Sequence, residues 1–168
     1  KAVPRMDNYE GEKRVELHLH TVMSAMDALI HPDGSYNEVT FGYPSHVVQW
    51  CGTLRSIMQE VGDNSENANM FATKMMQLMK YIIDCTAPNN TPPHWGQGGP
   101  PSALTTAKSV LASLTEEEKQ TELGQYISYF VDKNTGTQPP TNSQYDDIKV
   151  VTDRTGWTSS DSFLFMNA

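Results

Sequence analysis

Two histidines near the start of the sequence have the spacing of a metal-binding pair. His18 and His20 lie in the stretch "RVELHLHT" (14–21), where polar and apolar residues alternate. Alternation predicts a strand, and side chains two residues apart on a strand share a face. The two imidazoles could bind a divalent transition-metal ion, or they could lie on a solvated sheet face without a ligand. The spacing alone leaves both interpretations open.

The residues around this pair are similar to a known enzyme family. The stretch "EGEKRVELHLHTVMSAMDAL" (10–29) resembles the first motif of the PHP domain in PolC-type bacterial DNA polymerase III. PHP domains are distorted β/α barrels that hold a metal cluster for phosphoester hydrolysis, so the resemblance implies that His18 and His20 are metal ligands. The later pattern departs from the family, because Arg154 stands in "VVTDRTG" (150–156) where the family has a histidine. The resemblance therefore predicts an incomplete metal-dependent phosphoesterase.

A second resemblance covers residues 21–67. The stretches "TVMSAMDALIHPDGS" (21–35) and "YPSHVVQWCGTLRSIMQEVGDNSEN" (43–67) are similar to coat proteins of flexuous filamentous, potyvirus-like plant viruses. This resemblance implies a mostly helical subunit that holds RNA in an inner groove and reaches its neighbours with flexible arms. Arg55, Lys74 and Lys80 are candidate phosphate contacts, since a few such cations give affinity without sequence preference. The alternative is that they are solvated surface charges.

Composition limits the classes of function. Twelve Lys and Arg against twenty Asp and Glu give a formal net charge of −8, which argues against strong nonspecific attraction to nucleic acid. No apolar run approaches the roughly 18 residues that span a membrane, so we expect a soluble protein without a membrane partner. Cys51 and Cys85 stand apart in apolar surroundings, which favours buried thiols over a disulfide or a metal site. A reducing compartment or a virion fits these features.

Hydrophobic periodicity predicts a mainly helical chain. The clearest stripe is formed by Phe71, Met75 and Ile82 with their neighbours at helical spacing. Thr115 and Glu118 have the spacing of a capping box, which predicts a helix start. We predict a short helix over 22–30, longer helices over 44–62, 65–85, 102–114 and 115–133, and strands over 13–20 and 146–153.

The expected organisation is one domain with flexible additions. Residues 1–12 form an N-terminal arm, residues 13–160 a single globular domain, and residues 161–168 a C-terminal tail. Residues 86–101 are rich in Pro and Gly, which predicts a long loop inside the domain. Within the loop and tail, Trp95, Phe163 and Phe165 are candidate subunit contacts, although Trp95 could equally pin the loop to its own core.

These features together predict an α+β fold that is mainly α, with about four amphipathic helices and short N- and C-terminal strands. The leading functional hypothesis is a non-enzymatic, self-assembling subunit without a cofactor. Such a subunit would form a homo-oligomer or polymer, as a filament or as a coat protein holding nucleic acid. The alternative is the PHP-like phosphoesterase, with a divalent transition metal at His18 and His20. A third possibility is that residues 1–29 have an origin different from that of the rest.

Overall fold

The computed structural model describes residues 24–26, 28–37, 42–62, 66–91, 93 and 102–167. The fold is mainly α, with a small antiparallel sheet, as the sequence predicts. The helices are α1 (Gly42–Glu60), α2 (Glu66–Asp84), α3 (Ala103–Ser113), α4 (Glu116–Lys119) and α5 (Glu122–Val131). The strands are β1 (Asn142–Tyr145), β2 (Val150–Arg154) and β3 (Phe163–Asn167). The predicted strand over 13–20 lies outside the described residues.

Helix α2 is the centre of the helical body. Its apolar stripe packs against α1, α3 and α5, and it is buried because side chains three and four residues apart share one helix face. The residues predicted for this stripe are confirmed as core wherever the structure describes their side chains. They are Phe71, Met75, Leu78, Met79 and Ile82, all at most 1% exposed.

The segment that precedes α1 packs against this body. Residues 24–26 and 28–29 are helical, and Ile30 then pairs with Tyr36 in an isolated antiparallel bridge. Between them, Asp33 Oδ1 accepts hydrogen bonds from the Ser35 N–H and hydroxyl at 2.9 and 2.6 Å. Gly34 has φ +86° and lies directly against Gln77 of α2, so the predicted turn over 31–35 is confirmed.

The predicted helix over 115–133 is wrong in one respect, because it is two helices. Thr115 caps α4 in the expected capping box with Glu118. Thr121 then caps α5, since its hydroxyl accepts from the Gly124 N–H at 3.2 Å. The break brings Gly124 so close to the Glu118 carbonyl that a side-chain carbon there would collide with it. Two successive caps therefore outweigh the continuous apolar pattern.

The three strands form a sheet in the order β1-β2-β3, with both pairs antiparallel. The strand predicted over 146–153 is wrong in its first half, because residues 146–149 form the turn between β1 and β2. Lys149 closes that turn with φ 56°. The tail predicted over 161–168 contains β3, which pairs with β2 along its whole length. These residues are part of the fold because β2 satisfies their main-chain hydrogen bonds.

Both cysteines are buried free thiols, as predicted. In the described part of the chain, no helix is long and apolar enough to cross a membrane.

Candidate functional site

The predicted metal ligands His18 and His20 lie outside the described residues, as does Trp95. Within the described ranges, no group of three or more His, Cys, Asp and Glu could hold a metal ion. A divalent metal at His18 and His20 therefore stays a prediction.

The three predicted phosphate contacts all have intramolecular partners. Arg55 is buried and donates through Nη2 to both carboxylate oxygens of Glu118, at 2.5 and 2.6 Å. Lys74 Nζ donates to the Ile30 carbonyl at 3.4 Å. Lys80 Nζ donates to Asp84 Oδ2 at 2.5 Å. The structure does not bring the three cations into one patch with a common partner, and nucleic-acid binding at these positions stays a prediction.

The two predicted contact residues of the C-terminal segment face the protein itself. Phe163 is half-buried beneath the Arg154 guanidinium, whose centre is 4.8 Å from the ring centroid. Phe165 is half-buried against the hydrophobic core. The opposite face of β3 is the exposed one, with Leu164 at 49% and Met166 at 50% exposed.

A cluster of titratable side chains joins the end of α2 to the sheet. Asp84 Oδ2 accepts from the Ser143 and Tyr145 hydroxyls, both at 2.7 Å, as well as from Lys80. Arg154 Nη2 donates to the Asp84 carbonyl oxygen, and the Arg154 guanidinium lies over the Trp157 ring at 3.7 Å. These contacts link three parts of the chain that are distant in sequence.

This cluster is built for stability, because its acid–base groups are closed to a ligand. Asp84 is 1% and Tyr145 is 3% exposed. Burial, followed by the negative charge of Asp84, raises the pKa of Tyr145 well above its usual value. A tyrosine hydroxyl held neutral and donating to a buried carboxylate fixes the sheet against α2.

An accessible set of chemically capable side chains lies on α1. Tyr43, His46 and Trp50 stand at helical positions i, i+3 and i+7, so they share one face. All three side chains are exposed, with Tyr43 at 47% and Trp50 at 65%. The rise of about 1.5 Å per residue separates Tyr43 from Trp50 by about 10 Å along the axis. We call these three residues the α1 face.

An apolar depression of about 170 Å³ borders Trp50. Met26 and Leu29 of the preceding helical segment form one side, and Val47 and Leu54 of α1 form the other. The indole ring therefore has an apolar floor beside it while most of its own surface is open. Trp50 therefore offers an exposed indole on the same helix face as a phenol and an imidazole.

The α1 face can supply acid–base chemistry and stacking together. Imidazole and phenol groups are both used in proteins to transfer protons to and from a bound ligand. An exposed indole offers a flat apolar surface to a ring-shaped ligand. Sequence reasoning identified the helix but missed this face. The helical spacing of the apolar residues Val47, Cys51, Leu54 and Met58 indicates the buried side of α1, and Tyr43, His46 and Trp50 lie outside that stripe.

Comparison with known proteins gives a fold and no family. No model of a protein family and no curated protein sequence matches the chain. Two crystal structures do resemble it. One is heparan sulfate lyase HepC from Pedobacter heparinus, with a TM-score of 0.78 and 15% identity, and the other is a mutant of that enzyme, with a TM-score of 0.79 and 15% identity.

The structural similarity includes nearly all of this chain but only part of the lyase chain. In both comparisons it covers 95% of this chain and 25% of the lyase chain. The chain therefore spans about a quarter of the length of the lyase it resembles. At this level of identity the likeness establishes the fold alone.

Proposed function

We propose that this chain is part of a polysaccharide lyase and that the α1 face contacts the sugar. The observation that carries the proposal is the coincidence of two features. Nearly the whole chain has the fold of a segment of a heparan sulfate lyase. On that fold, Tyr43, His46 and Trp50 form an exposed acid–base and aromatic surface.

The chemistry of a lyase requires the kinds of group that this face carries. Elimination from a uronic acid sugar removes the proton next to the carboxylate and breaks the bond to the glycosidic oxygen. A double bond forms in the sugar, and the leaving oxygen takes up a proton. One group must therefore act as a base and another as an acid, both within hydrogen-bond reach of the sugar.

Tyr43 and His46 are suited to these two roles by position. Side chains three residues apart on a helix lie about 5–6 Å apart at their β carbons, which is close enough for both to reach one glycosidic linkage. We assign proton transfer to this pair. We assign to Trp50 the stacking of a neighbouring sugar ring, because its indole lies one helical turn further along the same face.

The test is elimination activity in matched variants of the protein acting on heparan sulfate. Formation of the sugar double bond is followed by ultraviolet absorbance. We expect Tyr43→Phe and His46→Ala each to lower the rate at least about 100-fold, the typical contribution of a positioned acid or base. Tyr129→Phe is the control, since it removes a hydroxyl that bonds Gln138 on the surface. Activity that survives both α1 substitutions would refute the assignment.

A second candidate function is a self-assembling subunit, and the exposed side of β3 favours it. β3 is an edge strand of the sheet, and Leu164 and Met166 present an apolar outer face. An edge strand offers unpaired main-chain groups to another strand, and an exposed apolar face favours association with a partner. Light scattering would show particles larger than one chain, and Leu164→Lys with Met166→Lys would return them to monomers. Particles of unchanged mass in the double variant would exclude this surface.

A further inference from the structure

A groove lies between α1 and α3. Its volume is about 460 Å³, within the range of about 300–1,000 Å³ that is typical of small-molecule sites. Met75 of α2 lies at its floor, and Gly52 leaves room above the Met75 sulfur. The two walls carry uncharged polar side chains, which are Gln49, Thr53, Ser56, Thr106, Ser109 and Ser113.

The wall hydroxyls are arranged to accept hydrogen bonds. Thr53 and Ser56 each donate to a main-chain carbonyl of their own helix at 3.0 Å. On the opposite wall, Ser113 donates to the Val110 carbonyl at 2.7 Å. A hydroxyl that has used its proton in this way keeps oxygen lone pairs for a donor, and Gln49 adds two amide protons and an acceptor. Sugar hydroxyls are both donors and acceptors, so they match these walls.

The lack of charged side chains in the groove indicates which class of sugar it could bind. In the described part of the chain, the residues that line it include no charged side chain. A sulfate or carboxylate placed there would lose its hydration without meeting a cation, which is unfavourable. An uncharged sugar ring loses less and regains its hydrogen bonds from the walls.

The groove is continuous with the α1 face. Gln49 and Thr53 follow His46 at i+3 and i+7, so one side of α1 carries both the proposed acid–base pair and a groove wall. A glycan held at His46 and Trp50 therefore has a polar groove next to it.

We propose that this groove binds an uncharged sugar residue of the same glycan, beyond the residue at the α1 face. The inference rests on the proposed function, and it adds a binding position whose contacts are hydroxyl and amide groups without ion pairing. Its contribution to affinity is therefore independent of salt, whereas contacts between charges weaken as salt screens them.

The experiment is calorimetric titration of the protein with an unsulfated hexasaccharide of alternating glucuronic acid and N-acetylglucosamine. Ser109→Phe fills the groove from an exposed position of α3. Ser56→Phe fills it from α1 and serves if the first variant folds poorly. Lys108→Phe is the matched control, because it adds the same ring to an exposed position of α3 that does not line the groove. Trp50→Ala measures separately how much the α1 face contributes to binding of the hexasaccharide.

We expect the groove-filling variants to bind about tenfold more weakly, and Lys108→Phe to change affinity less than about twofold. The tenfold ratio should be the same at about 0.1 M and about 1 M salt, where the Debye length falls from about 10 to about 3 Å. Unchanged affinity in the filled variants, with binding lost in Trp50→Ala, would overturn the groove and leave the proposed function standing. A ratio that shrinks at high salt would also overturn it. A wild-type protein that does not bind the hexasaccharide would overturn the groove, whereas the proposed function is refuted only if heparan sulfate is not cleaved by elimination.

Discussion

The hydroxyl of Tyr145 donates a 2.7 Å hydrogen bond to Asp84 Oδ2, and this contact joins the first strand of the sheet to the end of the central helix. The two residues are 61 positions apart in the chain. Both are buried, so neither can exchange its partner for water. The orientation of the sheet on the helical body depends on this pair and on the Ser143 and Lys80 contacts beside it.

Removing the Tyr145 hydroxyl should therefore destabilise the protein. We expect Tyr145→Phe to lower the free energy of unfolding by about 1–2 kcal/mol, because it leaves a buried carboxylate with one donor fewer. Urea unfolding monitored by circular dichroism measures the change. Tyr129→Phe, which loses a surface hydrogen bond to Gln138, should change stability by less than about 0.5 kcal/mol. Equal effects of the two variants would show that the buried contact is not special.

Breaking the Arg55–Glu118 ion pair should lower the free energy of unfolding more than Tyr145→Phe does. The side chains of the pair are 5% and 17% exposed, so Arg55→Ala leaves a carboxylate largely out of water without its cation. We expect a loss of about 3 kcal/mol in the free energy of unfolding. Lys119→Ala breaks the exposed ion pair with Glu116 and should cost less than about 1 kcal/mol. Similar losses of stability in Arg55→Ala and Lys119→Ala would contradict this prediction.

Two glycines allow the cost of backbone strain to be measured separately from the cost of steric crowding. Gly34 and Gly62 both have positive φ, at +86° and +73°. A β carbon at Gly34 would lie 3.1 Å from Gln77 atoms, whereas nothing is within 4 Å at Gly62. Both alanine variants should lose about 1 kcal/mol from strain, and Gly34→Ala should lose more from the contact with α2. Thermal unfolding compares them, and an equal loss would mean that residues 31–35 move away from α2 at no cost.

The buried thiols predict how stability depends on alkaline pH. Burial raises the pKa of Cys51 from 9.0 to about 12, so the unfolded chain releases this proton at a lower pH than the folded chain. The resulting stability is complete below pH 9 and is lost as the pH rises from about 9 towards 12. Cys51→Ala should flatten the decline by up to about 1.4 kcal/mol per pH unit. Unfolding curves between pH 8 and 11 measure the decline in stability. A slope that is the same in Cys51→Ala and the wild-type protein would contradict a raised pKa for Cys51.

The same burial predicts that thiol reagents distinguish folded from unfolded protein. Cys51 is 1% and Cys85 is 0% exposed, and burial also raises the pKa of Cys85. Because the thiolate is the reactive form, neither cysteine should react with an aromatic disulfide reagent at neutral pH until denaturant is added. Rapid reaction of one thiol in the native protein would show that its surroundings open.

The secondary structure was predicted best where the apolar residues follow one period without interruption. The three long helices agree with the predictions to within about two residues, since their apolar stripes, such as that of Phe71 and Met75, have one consistent period. The break at Thr121 was missed because a second cap lies inside a continuous helical pattern. Strand β1 was missed because "NSQY" (142–145) does not alternate. It is a strand because its main chain pairs with β2, and Ser143 and Tyr145 also hold it to Asp84.

The candidate site was harder to predict for a related reason. Tyr43, His46 and Trp50 became a face only when the packing of α1 showed which side is buried, and aromatic residues at helical spacing are usually core. His18 and His20 were conspicuous through a local resemblance, yet a metal site depends on ligands from several elements that the sequence does not place together.

Mass spectrometry of the products formed from a defined heparan sulfate oligosaccharide tests the central proposal most directly. Elimination adds no water, so the masses of the two products should sum to the mass of the substrate, and one product should carry the new double bond. The wild-type protein and Tyr129→Phe should both give these products, whereas Tyr43→Phe and His46→Ala should not. Products whose summed mass exceeds that of the substrate by one water molecule would show hydrolysis, and an unchanged oligosaccharide would show no cleavage. Either result would contradict the account.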